Sequence, residues 1–405
     1  MGAHPEAPSS ALIDENETSL AELIRQDPRY YLGAQAAEKY GSLPFLFKLL
    51  AAEKPLSIQT HPNLSQAREG YDRENRAGLA PDSPVRNYRD PNHKPEIICA
   101  LSPFSGMCGF RTPMEIQKLL IDFLGASNSK TPESVTLHSV ALLNKVIPSA
   151  ELYTAAPESL RTGMAALLKH LDDTDTSAAL KNFFMALFTL SDGLRKDLGD
   201  FITNTGAQRL ASLEKDSEPY ALWKNMVCFA KLYPGDPAVI SPLYLNFFRL
   251  NPGEAIFLPA GTLHAYIHGL GVELMANSDN VLRGGLTPKH IDIEELSHVL
   301  DFTPHKPEII KPSGQSARFA YPAPCGEFSL SVIDGAAGDI KFQEGSAAIC
   351  VVTSGELEIQ GTQERAVFRA GQSIFIPPAG ELVFRGNYTL YAGIIPASAD
   401  AITAP

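Results

Sequence analysis

The chain has 405 residues, enough for two or three domains and a sizeable core. At 44% hydrophobic and 20% charged residues it is ordinary globular protein; a net charge of −12 with no run of Lys or Arg argues against nucleic acid and anionic membrane surfaces, leaving room for a local basic pocket. Five cysteines (Cys99, Cys108, Cys228, Cys325, Cys350), odd in number and without CxxC spacing, favour reduced thiols in a cytosolic protein over a disulfide framework.

The opening "MGAHPEAPSSALIDENE" has no apolar core of a signal peptide, and Glu6 stands where a myristoylation signal wants Ser or Thr. Residues 1–112 are mixed in texture. A helix is expected over "AEKYGSLPFLFKLLAAE", residues 37–53, with strands at "PLSIQTH" and "PEIICAL". From 113 to 232 apolar residues recur at three- and four-residue spacing, predicting helices at "PMEIQKLLIDFLG", "SVTLHSVALLNKVI", "SLRTGMAALLKHL" and "AALKNFFMALFTL". Trp223 and the aromatics of "KNFFMALF" read as helical core. After "YPGDPAVISP" the chain turns β-rich, with short alternating runs cut by Gly and Pro. The longest uncharged run there, Ala255 to Val272, is interrupted by Pro259, Gly261 and Gly269 and is no membrane span.

This β-rich part contains an internal repeat. "NPGEAIFLPAGTLHAY" begins at Asn251 and "RAGQSIFIPPAGELVF" at Arg369, offset by one extra Pro. Two copies of a double-sheet β-barrel follow from it. The first copy spaces Gly253, Pro259, Gly261 and His264 as in the second motif of the cupin superfamily, which it resembles; there the His ligates a metal inside the barrel. The trailing Asn of that motif is absent, with His268 in its place. His264 read alone could equally be a hydrogen-bonded barrel histidine.

Upstream, "SIQTHPN" puts Gln59 and His61 two apart, so that in a strand an amide and an imidazole face one space. Together with "DPNHKPEIICAL" and "LPAGTLHAYIHGLGVELMANSDNVLRGGLTPKHID", this stretch closely resembles type I phosphomannose isomerases, from the N-terminus to about Asp292 and faintly beyond. The resemblance implies a fold that is mainly β with an α insertion: two cupin-type jelly-roll barrels plus a helical domain. Residues 1–112 and 233–298 would form the catalytic barrel, 113–232 the helical insertion, and 299–405 a second barrel without metal ligands. Members usually begin with further N-terminal strands, so either the start here is an internal Met or the first strands are dispensed with, a loss that would expose a sheet edge.

The resemblance further implies one zinc ion per chain, held by Gln59, His61, Glu96 and His264, a nitrogen and oxygen set that suits Zn²⁺. It implies reversible isomerisation of mannose-6-phosphate and fructose-6-phosphate through an enediol, supplying mannose for GDP-mannose synthesis. Arg283 matches the family's catalytic position, and its fixed fork suits an oxyanion or phosphate. Lys94 and Glu273 are candidates for the proton-transferring base, while Lys289, Tyr266 and Asp279 match substrate-pocket positions. At the place matching His264 the repeat has Val383. The expected partner is a small sugar phosphate, with neither nucleic acid nor membrane, for a monomeric cytoplasmic chain. A cupin oxygenase would prefer iron and an HxH that is not present; a non-catalytic sugar-phosphate-binding regulator is the remaining rival.

Overall fold

The structure is a computed structural model and describes residues 1–13, 16–124, 156–312, 316–361, 365–378 and 380–396. Its first large sheet has eight strands organised around one long strand, His264–Ala276. Phe45–Ala52 pairs with that strand in continuous antiparallel register, from Phe45 opposite Ala276 to Ala52 opposite Gly269. Glu96–Ala100 lies on the same strand's other side and Phe104–Phe110 further along it. Ile58–Thr60, Leu245–Leu250, Ala255–Leu258 and Leu282–Gly285 complete the sheet. The long strand turns at Gly269, where φ is 128° and a Cβ would stand 2.8 Å from backbone atoms of Pro103 and Phe104. Only glycine meets both demands.

The helix expected over 37–53 is not there. A helix over Ala34–Tyr40 stops at left-handed Gly41, and Phe45–Ala52 is a strand. Pro44 cannot continue a helix, and Phe45 and Phe47 are buried on one face while Lys48 sits on the other. The run looks helical because apolar residues stand on both faces of the strand, Leu46 and Leu50 opposite Phe45, Phe47 and the exposed Leu49, and hide the alternation. Met1 bonds to Phe47 through both backbone groups, alongside this strand.

Helices cover the middle of the chain as the periodicity requires: Pro113–Phe123, Glu158–His170, Thr176–Phe188, Asp192–Ser212 and Glu218–Leu232. The helix expected at 134–147 lies outside the described residues. Thr112, Asp175, Ser191 and Ser217 cap four of the helices through their side chains. Trp223 stacks on Phe123 at 5.3 Å within the helical core, as expected of it.

The second eight-stranded sheet is built from Arg318–Tyr321, Ser329–Asp334, Ile340–Phe342, Ala348–Gln360, Arg365–Arg369, Ser373–Ile376, Leu382–Arg385 and Tyr388–Ile394. Within the first sheet Ile97, Cys99, Val272 and Leu274 face outward and pack with Leu330, Ile349, Val351 and Tyr391 of the second. The fold is mainly β, two curled sheets with helices. No helix among the described residues is long and apolar enough to cross a membrane.

Candidate metal centre and its surroundings

Alternation decides what the first sheet encloses. On Glu96–Ala100, residues 97 and 99 face the second sheet, so 96, 98 and 100 face inward. Across the sheet Gln59 has two Cα partners, His264 on one side and Arg283 on the other. Residues directly opposite one another in antiparallel strands share a face. Gln59, His264 and Arg283 therefore form one row on the inner surface, and His61, two residues on from Gln59, joins it.

The side chains converge. His61 Nε2 lies 3.3 Å from Glu96 Oε1, and His264 Nε2 lies 3.5 Å from Glu96 Oε2. One ligand atom from each of His61, Glu96 and His264 can be chosen so that all lie within 4.8 Å of one another. The Gln59 amide is 3.4 Å from His264 Nε2. His61 Nδ1 donates to the Asn280 carbonyl at 2.6 Å, and His264 Nδ1 donates to the Thr262 carbonyl at 2.9 Å. A carbonyl only accepts, so both rings carry their proton on Nδ1 and turn an Nε2 lone pair inward.

That arrangement fits a cation. His61 Nε2 and Glu96 Oε2 are buried and make no hydrogen bond, a costly condition unless something else takes up their lone pairs. Imidazoles fixed through Nδ1 by carbonyls are the usual outer-layer arrangement of metal-ligating histidines. Burial, helped by the Lys94 charge, pushes the His61 imidazolium down to about 4, so the ring is neutral and available at ordinary pH. Burial alone would raise Glu96, but Lys94 and His61 outweigh it and hold the carboxyl well below its usual range.

Around this cluster the charges are arranged in a layer. Lys94 Nζ is 3.1 Å from Glu96 Oε1. Burial opposes its charge, yet Glu96 and Glu273 keep the ammonium protonated and raise it above the ordinary lysine value. Glu273 behaves in the opposite way: burial first, then the neighbouring Glu96 charge, push its carboxyl up to about 7. Tyr266 is buried with its hydroxyl unpartnered, and burial with the Glu273 and Glu96 charges keeps the phenol well above its usual value. Arg283 is lowered by burial and by the nearby Arg89 guanidinium. Among the described residues neither of those two guanidiniums has a carboxylate partner, so the pair offers an anion two unneutralised forks.

Not every expected residue joins the cluster. Asp279 bonds to His4 at 2.9 Å, although its charge also reaches Lys94. Lys289 is exposed, its backbone amide bonded to Thr287. Two residues escaped the sequence reading. Lys48 lies opposite Glu273 in the sheet, with its Nζ 3.9 Å from Glu273 Oε2. A lone Lys inside an apolar strand was the signal, hidden by reading that run as a helix. Arg89 had no signal of its own, since its approach to Arg283 joins distant parts of the chain.

A family model described as phosphomannose isomerase type I, catalytic domain, matches residues 1–113. The mannose-6-phosphate isomerase of Salmonella typhimurium is 37% identical over 380 residues, covering 93% of this chain and 85% of that protein. The Escherichia coli enzyme of the same name is 35% identical over the same shares. A crystal structure of a mannose 6-phosphate isomerase in its zinc-bound form aligns with a TM-score of 0.79 and 33% identity, covering 98% of this chain and 90% of that one. A crystallised single-site variant of the Salmonella typhimurium phosphomannose isomerase aligns over the same shares with a TM-score of 0.80.

Proposed function

The chain belongs to the type I phosphomannose isomerase family, and on that premise we propose that it interconverts mannose-6-phosphate and fructose-6-phosphate with one zinc ion per chain. Gln59, His61, Glu96 and His264 would hold the zinc. The observation that carries this reading is the pair of buried, orphaned ligand atoms on His61 and Glu96, with the His264 and Gln59 side chains converging beside them. When bound, the zinc supplies a Lewis acid that polarises sugar oxygens.

The chain's own residues supply the rest. Moving a proton between C1 and C2 needs a base whose pKa is near the working pH. Glu273, a buried carboxyl that burial pushes up toward that range in the metal-free chain, suits the need better than Lys94, whose ammonium is held protonated by two carboxylates. We therefore assign proton transfer to Glu273 and charge balance in the pocket to Lys94. Arg283, in one row with Gln59 and His264, would donate to the oxyanion as it develops. Arg89 and Arg283, which among the described residues have no carboxylate partner, favour a phosphorylated substrate. Tyr266 would close the buried side of the pocket, with Lys289 and Asp279 at its rim. We read 1–112 and 233–298 as the catalytic unit, 113–232 as its helical insertion and 299–405 as a sheet without metal, in a monomeric cytoplasmic enzyme feeding GDP-mannose synthesis.

A coupled assay for fructose-6-phosphate formation tests the reading. Turnover should vanish on chelation and return with added zinc. Protein carrying one zinc per chain but showing no turnover would leave only a sugar-phosphate-binding role, and elemental analysis finding two tightly held metals would overturn the single site.

A further inference from the structure

Asn280 is 0% exposed and lies three residues before Arg283, in the connection that follows the long strand His264–Ala276. Its backbone carbonyl is the group that receives His61 Nδ1, at 2.6 Å. Its side-chain oxygen accepts from the backbone amides of Arg89 at 2.7 Å and Asp90 at 3.2 Å. Its side-chain nitrogen donates to the carbonyls of Asp90 at 2.7 Å and Asn92 at 2.9 Å. The backbone amide of Asn280 donates to Ser278 Oγ at 3.2 Å, and the Ser278 hydroxyl donates to the Asn92 carbonyl at 3.1 Å. All the hydrogen-bonding capacity of one carboxamide is thus spent on a single loop.

We propose that Asn280 is a positioning residue that locks the His61 imidazole, the Arg89–Lys94 loop and the Arg283 segment into one geometry. The proposal rests on the readings of His61 as a zinc ligand and Arg283 as catalytic. Asparagine is the residue type the place demands. A carboxylate of the same shape could receive the two amides but has no hydrogen to give the two carbonyls, and an alanine would take the side-chain partner from the Arg89 and Asp90 amides and the Asp90 carbonyl, leaving the Asn92 carbonyl only its Ser278 bond. Loss of the side chain would free the loop that carries Lys94 and let the 280 carbonyl drift away from His61. The imidazole would then lose the partner that fixes its tautomer and aim.

The test is Asn280→Asp, with zinc affinity measured by competition against a chromophoric chelator, alongside kcat, KM and melting temperature. Zinc affinity should fall roughly 10- to 100-fold. In zinc-saturated protein kcat should fall more than KM rises. A lowered melting temperature with unchanged zinc affinity and unchanged kcat would make Asn280 merely structural and overturn the proposal. Should that variant not fold, Ser278→Ala removes two bonds of the same network; it should weaken zinc by roughly 3- to 10-fold, and wild-type affinity there would equally overturn it. His61→Ala separates the premise from the proposal. If His61→Ala keeps its zinc, the ligand reading falls and takes this inference with it. If His61→Ala loses zinc while Asn280→Asp binds it normally and turns over normally, only the role of Asn280 falls.

Discussion

Inside the first sheet lie His61, Glu96, His264, Glu273 and Lys94, all buried; inside the second lie Phe342, Val352, Leu357, Phe384 and Leu390. Both sheets have eight strands, and both are organised around a long strand of thirteen residues, His264–Ala276 and Ala348–Gln360. The difference is in what alternation delivers to the interior. Apolar interiors stabilise by area removed from water, at about 25 cal/mol per Å². Buried charges cost free energy unless paired, so the first sheet needs support from elsewhere. It receives that support on its outer face. Ile97, Cys99 and Leu274 pack on the second sheet, while the residues beside them, Glu96 and Glu273, point the other way. Each of these two strands thus carries a packing side and a chemical side, and among the described residues the cluster His61, Glu96 and His264 comes from outside the second sheet, which backs it.

Substitutions that strike the chemical side should show this most clearly. His264→Ala removes one of the converging ligands. We expect it to lose zinc and to lose activity by more than roughly 100-fold, with the second sheet still folded. Retained zinc with near-normal turnover would remove His264 from the ligand set. Glu273→Gln should lower kcat by roughly 10²- to 10⁴-fold if that carboxylate moves the proton.

The same Glu273 variant makes a prediction of opposite sign for stability. Burial raises the folded carboxyl from 4.5 to about 7, so in metal-free protein the native state keeps a proton that the unfolded chain has released. The stability this gives is full below pH 4.5 and is lost as pH rises through about 7. The amide of the variant cannot ionise. Metal-free Glu273→Gln should therefore melt higher than metal-free wild type above pH 7, and the two should converge toward pH 4.5. Parallel melting curves across that range would show that Glu273 is not held protonated.

Arg283→Ala should cost roughly 100-fold in kcat with KM nearly unchanged if the guanidinium meets a developing oxyanion. A pure KM defect would make it a phosphate clamp instead, and Arg89 its partner. Arg283→Lys should restore little, since a point charge cannot reproduce the fork.

Local spacing explains which parts of this were legible in the sequence. Gln59 and His61 two apart, and Lys94 two before Glu96, are short-range patterns, and each pair does point into one space. Gly253, Pro259, Gly261 and His264 set a turn and a strand start, and the strand begins at His264. Arg89 and Asn280 were illegible because what each does comes from a partner across the fold: Arg283 for Arg89, the His61 ring for Asn280. The run Phe45–Ala52 read as helix because apolar residues on both faces, including the exposed Leu49, removed the period-two signal. The repeat misled by one position. Counting from Gly380, past the extra Pro, sets Val383 against His264, whereas counting from Gly371 sets Leu382 there; Leu382 and Phe384 pack on the inner cluster, while Val383, between them, is turned the other way. Pro377 and Pro378 stand where the first copy has one Pro, and a one-residue slip exchanges the faces of a strand.

Phe384 offers the converse test, with the smallest expected effect on catalysis. It is 0% exposed and stacks on Phe342 at 4.7 Å with 13° between the rings, in a core cluster made up of apolar side chains. Phe384→Ala should leave a cavity and cost about 3–5 kcal/mol of stability, seen as a lower melting temperature or denaturant midpoint. Its core is separate from the cluster in which the second sheet meets Ile97, Cys99 and Leu274. Below the transition, zinc affinity, kcat and KM should therefore match wild type. If kcat falls along with stability, loosening the second interior reaches through Leu330, Ile349 and Tyr391 to the strands that aim Glu96 and Glu273. The second sheet would then set the geometry of the site as well as supporting it.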